Sequence, residues 1–513
     1  MSFYTVLSAS VKGMDVEFTK VEADIGNGLP VFHMVGYLSS EVKEASERVR
    51  TAVKNTGFNL PAKKITVNLS PAGVRKTGNG FDLAIAVAVL GALHAVPVSR
   101  LENTLVIGEL GLDGGIHSVD GILPIVEEAV RKGISNCIIP FDNRNEGQLV
   151  KNINVAGLKT LSEVCRWLKG ENPEVSANRN ISRKEKHEFE SDNIDYSDIK
   201  GQEAVVRATL VAVAGNHNLL YVGPPGTGKT MLAKRIPTIL PELTEDESLE
   251  ITKIYSIAGL VEKEAPLITQ RPFREVNHTT SRAAVIGGGR YPTLGEITLA
   301  HLGVLFLDEL AEFPAGVLDA LREPLEDKKV LLIRQKGCFL YPADCMVVAA
   351  TNPCPCGYYP DLNKCRCTPA QIHNYTGKIS RPFMDRIDIC AEAGKVDYES
   401  LTGEKGRYTS SELKALVEKT RKIQKDRFGK TVIYSNAQMK EEEIKKFCHL
   451  DSKGKRLMEN AYDTLNLTAR SYYKTLKVAR TIADLQEEEN IREEHIMEAV
   501  GYRVPDQKYW GIR

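Results

Sequence analysis

Three groups of residues in this chain have the types and spacings that chemistry requires. The first is Gly223-Pro224-Pro225-Gly226-Thr227-Gly228-Lys229-Thr230, a complete G-x-x-x-x-G-K-[ST] pattern. Glycines let backbone N–H groups close round phosphate oxygens with no Cβ in the way, and a helix starting there adds a favourable dipole. Lys229 would reach the β- and γ-phosphates of a nucleoside triphosphate, and Thr230 would ligate Mg²⁺. The second group, Asp308-Glu309, closes the apolar run Val304-Leu305-Phe306-Leu307. Behind a complete phosphate loop, Asp308 reads as the carboxylate that holds Mg²⁺ through water and Glu309 as the one that polarises the attacking water. The third is Cys354-Pro355-Cys356 with Cys365-Arg366-Cys367, two C-x-C pairs separated by eight residues. Four thiolates close round a tetrahedral Zn²⁺ at about 2.3 Å per sulfur and leave no position open for catalysis, so the site reads as structural. Free thiols in a loop and redox-labile pairs are its rivals.

These residues need elements to hold them. Leu219-Leu220-Tyr221-Val222 predicts a buried strand ahead of the phosphate loop, and Met231-Leu232-Ala233-Lys234-Arg235 a helix after it. Val347-Val348-Ala349-Ala350-Thr351-Asn352 predicts a further core strand ending in a polar residue. The whole chain, 513 residues, exceeds what one core serves and predicts two to four domains. Lys plus Arg and Asp plus Glu both number 67, so no global field attracts a polyanion and nucleic-acid contact would rest on local clusters. No apolar run approaches the roughly 20 residues of a membrane span, and Met1-Ser2-Phe3-Tyr4 lacks the basic and apolar regions of a signal peptide. A soluble, cytoplasmic protein without membrane partners is expected. In a reducing compartment, clustered cysteines favour metal ligation over disulfides.

Residues 1–169 alternate strand-like and helical runs, the pattern of an α+β domain. Arg75 to Val89 and Gly108-Glu109-Leu110-Gly111-Leu112-Asp113-Gly114 resemble the proteolytic domain of Lon-type proteases, a ribosomal-protein-S5-like fold. At the position of that family's nucleophilic serine this chain has Gly78-Asn79-Gly80, and at the position of its lysine Asp120-Gly121-Ile122-Leu123. A Ser–Lys dyad needs both groups. The domain is expected to be an accessory without protease activity. Residues 170–193, polar and charged, read as an exposed linker.

From residue 194 the chain resembles P-loop ATPases of the AAA+ type. Asn277-His278-Thr279-Thr280-Ser281, Gly287-Gly288-Gly289-Arg290, Gly295-Glu296-Ile297-Thr298-Leu299-Ala300-His301 and Leu321-Arg322-Glu323-Pro324-Leu325-Glu326-Asp327 make the resemblance specific. It is to the YifB/ComM family of magnesium-chelatase-like AAA+ ATPases, over nearly the whole chain. One departure is Asn277-His278, where the family usually has two histidines. The resemblance implies an ATPase core over 194–395 and a helical lid with a carboxy-terminal tail over 396–513. It implies Ile199 and Gly201 beside the adenine, Asn352 as the residue that senses the γ-phosphate, and Arg470, at the start of a lid helix, as a second sensor. Arg386 would be the arginine finger offered to a neighbouring subunit, with Arg381 the competing candidate. An insert at about residues 277–297 and a hairpin at Val330 to Pro342 would line a ring's central pore. There, Arg334 and Lys336 would contact a nucleic-acid backbone, although an exposed hairpin with basic residues is also an ordinary solvated edge.

The expectation is a homo-oligomeric ring, six by the resemblance, that hydrolyses ATP with Mg²⁺. The resemblance implies a DNA motor, a helicase or branch-migration translocase on single-stranded or branched DNA, serving homologous recombination in natural transformation. The alternative is a chelatase- or chaperone-like ATPase that remodels a protein partner and never touches DNA.

Overall fold

Runs such as Leu219–Val222 and Val304–Leu307 have no polar face to turn toward water, and both become strands buried along their whole length, as strands covered on two sides must be. The computed structural model describes residues 2–171, 194–289, 293–334, 337–399, 406–429, 431 and 433–511. It falls into two units, Met1–His187 with Glu245–Ile268 and Glu188–Thr244 with Thr269–Arg513. Most of the 170–193 segment lies outside the described residues.

The first unit is built on a seven-stranded mixed sheet. Its strands are β1 (Ser2–Lys12), β2 (Asp15–Gly26), β3 (Val31–Val35), β4 (Lys64–Ser70), β5 (Thr104–Val106), β6 (Asn136–Pro140) and β7 (Asn154–Leu158), in the order β3-β4-β2-β1-β5-β6-β7. The helix Asp82–Ala92 is buried at every position, which its sequence, without a charged residue after Asp82, requires. The segment Glu245–Ile268 belongs to this unit, although a boundary drawn at residue 194 puts it inside the ATPase core. Polar contacts hold it there. Ser256 donates to the buried carboxylate of Glu146 at 2.5 Å and accepts the Gly121 N–H at its carbonyl, while Lys253 and Lys263 pair with Glu127 and Asp142.

The second unit carries a five-stranded sheet. Its strands are β8 (Leu219–Val222), β9 (Phe273–Val276), β10 (Val304–Leu307), β13 (Met346–Thr351) and β14 (Ile389–Glu392), ordered β9-β10-β13-β8-β14, and every neighbouring pair is parallel. The intervening β11 (Lys329–Arg334) and β12 (Gly337–Pro342) form a separate antiparallel hairpin. Parallel strands deliver all their carboxyl ends to one edge, where open α/β sheets bind ligands. The helices Glu203–Gly215, Ser410–Phe428 and Ala469–Leu485 share one apolar core with the sheet. A buried ion pair ties the last of these helices to the sheet. Asp388 takes the Lys474 ammonium at 2.8 Å and the Asn218 N–H, and this holds its carboxyl down to about 2 against the cost of burial. None of the described helices is long and apolar enough to cross a membrane.

Candidate nucleotide site and cysteine cluster

The register of the parallel sheet brings the two ATPase motifs together. Val222 pairs with Thr351 and Leu307 with Ala349, so Gly223, Asn352 and Asp308 emerge at the same edge. Gly226 and Gly228 have φ of +75° and +81°, left-handed values that favour glycine. The turn they form aims Lys229 inward. Its ammonium donates to the carbonyls of Gly223 and Pro224 at 2.7 and 2.8 Å and to Asn352 Oδ1 at 3.1 Å. Burial lowers its pKa to about 8, against a raising influence from Asp308. An arriving phosphate would oppose that shift by supplying the anion the amine lacks.

Thr230 Oγ1 donates to Asp308 Oδ2 at 2.8 Å, so hydroxyl and carboxylate are already paired where the motif would place Mg²⁺ between them and the phosphates. Asp308 Oδ1 accepts the N–H of Glu309, whose backbone is left-handed at φ +53° and whose carboxylate stands exposed. One contact at this edge escaped the sequence reading. His278 Nδ1 lies 3.0 Å from Glu309 Oε2. Strand β9 neighbours β10 with Val276 opposite Leu307, so residues two past each strand end meet. The motif containing Asn277-His278 was visible, but its partner depends on strand order. Further back, Ile199 is buried, Gly201 has φ +63°, and Gln202 donates to the carbonyls of Gly394 and Thr227.

The three arginines lie elsewhere in the bonding pattern. Arg386 donates to the carbonyls of Arg322 and Pro382 and to Glu326 Oε2 at 2.6 Å, and Arg470 donates to the other oxygen of the same carboxylate. Glu326 thus bridges the two. Arg386 also lines an open cleft of about 320 Å³ with Asp319, Arg322, Glu323, Glu326 and Asp327. Arg381 is exposed at the start of the short helix Arg381–Met384. Arg480, ten residues beyond Arg470, is a core residue paired with Asp484 at 3.0 Å.

The four cysteines converge. Cys354 Sγ lies 3.4 Å from Cys356 Sγ and 3.8 Å from Cys365 Sγ, Cys356 and Cys365 are 3.5 Å apart, and all four sulfurs lie within 4.8 Å of one another. These separations exceed a disulfide bond of about 2.05 Å. They bracket the edge of about 3.8 Å that a tetrahedron with 2.3 Å metal–sulfur bonds would have. The donor set fits a four-thiolate metal.

On the hairpin, Arg334 pairs with Gly337 and its side chain reaches back to the carbonyl of Ile333. Lys336 lies outside the described residues. Leu331, Ile333 and Leu340 are exposed on the strands.

Comparison with known proteins covers most of this architecture. The family model for magnesium chelatase, subunit ChlI, matches residues 195–401; that for subunit ChlI of Mg-chelatase matches 21–143, and that for the ChlI C-terminal part 407–503. The chain is 41% identical over 508 residues to competence protein ComM of Haemophilus influenzae, covering 98% of each. It is 40% identical over 516 residues to the uncharacterized protein YifB of Escherichia coli, covering 99% of this chain and 98% of that one. A similarity to Lon protease 2 of Bacillus subtilis, 28% over 127 residues, is confined to 24% of this chain and 22% of the protease.

Proposed function

We propose that this chain, which belongs to the ComM/YifB family of magnesium-chelatase-like AAA+ ATPases, is the subunit of an ATP-driven ring that moves DNA. The observation that carries the ATPase reading is the convergence of Lys229, Thr230, Asp308, Glu309 and Asn352 at one edge of the parallel sheet. Lys229 exchanges its carbonyl partners for the β- and γ-phosphates, and Asn352, already bonded to that ammonium, lies beside the γ-phosphate. Thr230 and Asp308 would hold Mg²⁺, which would supply charge neutralisation to the phosphates. Glu309 leaves His278 and takes a proton from the attacking water.

Arg386, tethered to a carboxylate of its own chain, serves a neighbour's nucleotide, and Arg470, on the other oxygen of that carboxylate, is the second sensor of the γ-phosphate. Released from Glu326, two planar cations meet the charge that develops on the γ-phosphoryl group. This reading needs a closed heterologous assembly, and a hexamer is the proposed size. The four cysteines hold a structural Zn²⁺. The hairpin, with Arg334 and Lys336, contacts the DNA backbone, so affinity falls as salt rises. The similarity to a competence protein supports a role in recombining incoming DNA.

The test is ATP turnover with single-stranded, duplex and forked or four-way DNA. Branched DNA is expected to raise turnover and to be unwound or migrated. Normal basal hydrolysis that no DNA changes would remove the motor reading and leave a chelatase- or chaperone-like ATPase.

A further inference from the structure

Between β13, which ends at Thr351, and the helix that begins at Pro369, the chain forms no helix or strand. The cysteines lie in this stretch. Of its large side chains, Leu362 is 81% exposed and Tyr358 40%, while Tyr359 packs edge-on against Tyr509. Backbone bonds from Lys364 and Cys365 to the Asp361 carbonyl close its middle, and contacts at the sulfurs tie its two cysteine pairs together, with the Tyr359 N–H donating to Cys354 Sγ and the Arg366 N–H reaching Cys356.

This loop touches the nucleotide pocket twice. Gly357 closes the first cysteine turn by donating to the Cys354 carbonyl at 2.9 Å, and it has φ +83°. A Cβ placed on it would fall 2.4 Å from Pro225 Cδ and 3.3 Å from Pro225 Cγ. The cysteine turn therefore lies flat against the phosphate loop. The second link is covalent. Cys354, fully buried, follows Asn352 by two residues, and Asn352 Oδ1 holds the Lys229 ammonium.

We infer that metal bound by Cys354, Cys356, Cys365 and Cys367 sets the shape of the phosphate loop, so that nucleotide affinity follows metal occupancy. The inference rests on the zinc reading above. Emptying the site frees the turn that supports Pro225 and the strand end that places Asn352. Agents that strip zinc from thiolates would thereby switch the ATPase off without entering its pocket.

The experiment uses the full-length chain and measures zinc content and the affinity for a fluorescent ADP analogue on the same samples. The parent is expected to hold about one zinc per chain on the four-thiolate rule. Removal of zinc, by chelation after thiol modification or by Cys365→Ser with Cys367→Ser, should weaken nucleotide binding about tenfold or more, the scale of a lost charge-assisted hydrogen bond. In the chelated parent, unmasking the thiols and returning zinc should restore binding. Gly357→Ala should weaken binding while retaining zinc, and adding Pro225→Ala, which removes the clashing ring atoms, should recover part of the loss. That recovery distinguishes a contact that shapes the pocket from general damage to the loop, even where the cysteine variants fail to fold. A parent that neither holds nor takes up zinc would overturn the zinc reading itself. A zinc-bearing parent that, once stripped, binds nucleotide as before would overturn the coupling alone.

Discussion

Two glycine-rich turns among the described residues each hold a lysine on backbone carbonyls and lead into a helix. In the first unit, Lys76 donates to the carbonyls of Pro71 and Val74, Gly78 has φ +81°, and the helix Asp82–Ala92 follows. In the second, Lys229 donates to the carbonyls of Gly223 and Pro224, Gly228 has φ +81°, and the helix Lys229–Arg235 follows. Burial lowers the pKa of both lysines.

The difference lies in what else reaches each turn. Asn352, Thr230 and the Asp308–Glu309 pair converge on Lys229 because parallel strands end together. Beside the Lys76 turn, the carboxylate of Asp82 is taken by Arg48 at 2.7 and 3.0 Å, and Arg48 also reaches Asn79. That region spends its polar groups on one another. A glycine-rich turn with a lysine is thus a fold element first, and becomes a site where the sheet edge adds groups that a ligand can use.

The contrast can be broken by substitution. Lys229→Ala should abolish ATP turnover, whereas Lys76→Met should leave turnover per folded molecule at the parent's value; equal losses would erase the distinction. Glu309→Gln should cut turnover about 100-fold or more, the range of general-base catalysis, while still trapping ATP. Turnover equal to the parent's would refute its role. Arg48→Ala acts on the other side of the comparison. It leaves Asp82 buried without its partner and should cost about 3 kcal/mol in the stability of the first unit, read by thermal unfolding, with ATP turnover below the transition unchanged.

The second unit has a pH dependence of comparable size, spread over several pH units. Burial lowers His217 from 6.5 to about 4 despite Asp388 at 3.9 Å. Between those values the unfolded chain binds the proton and the folded chain does not, so stability falls as pH drops from about 6.5 to 4, by up to about 3 kcal/mol. Asp388, held down to about 2, extends the loss to lower pH. His217→Gln, still able to bond Thr481, should flatten the upper part of that profile in denaturant titrations; an unchanged slope would count against the assignment.

Much of the site can be read from the chain because its signals are local. An apolar run followed by Gly226-Thr227-Gly228-Lys229 specifies strand, turn and lysine together, and the C-x-C pairs announce their own geometry. What escapes depends on which distant segments meet. His278 reaches Glu309 through the order of β9 and β10, and Glu326 takes both Arg386, 60 residues on, and Arg470, 144 residues on. The placement of Glu245–Ile268 in the first unit is of the same kind. Its acidic first turn and short helix suit either unit, and the buried Glu146 that accepts from Ser256 lies 110 residues earlier.

The central claim is that each nucleotide site is completed by a neighbouring subunit. Mixing two inactive variants tests it most directly. Lys229→Ala keeps its arginines but lacks a working pocket, and Arg386→Ala keeps its pocket but lacks the trans cation. Each alone should be nearly inactive, the second because a trans arginine contributes on the order of 10³-fold or more. Mixed and reassembled, they should recover ATP turnover where an Arg386→Ala pocket faces the intact Arg386 of a Lys229→Ala subunit. Turnover that stays at the level of the separate variants, in assemblies shown to contain both, would contradict the account.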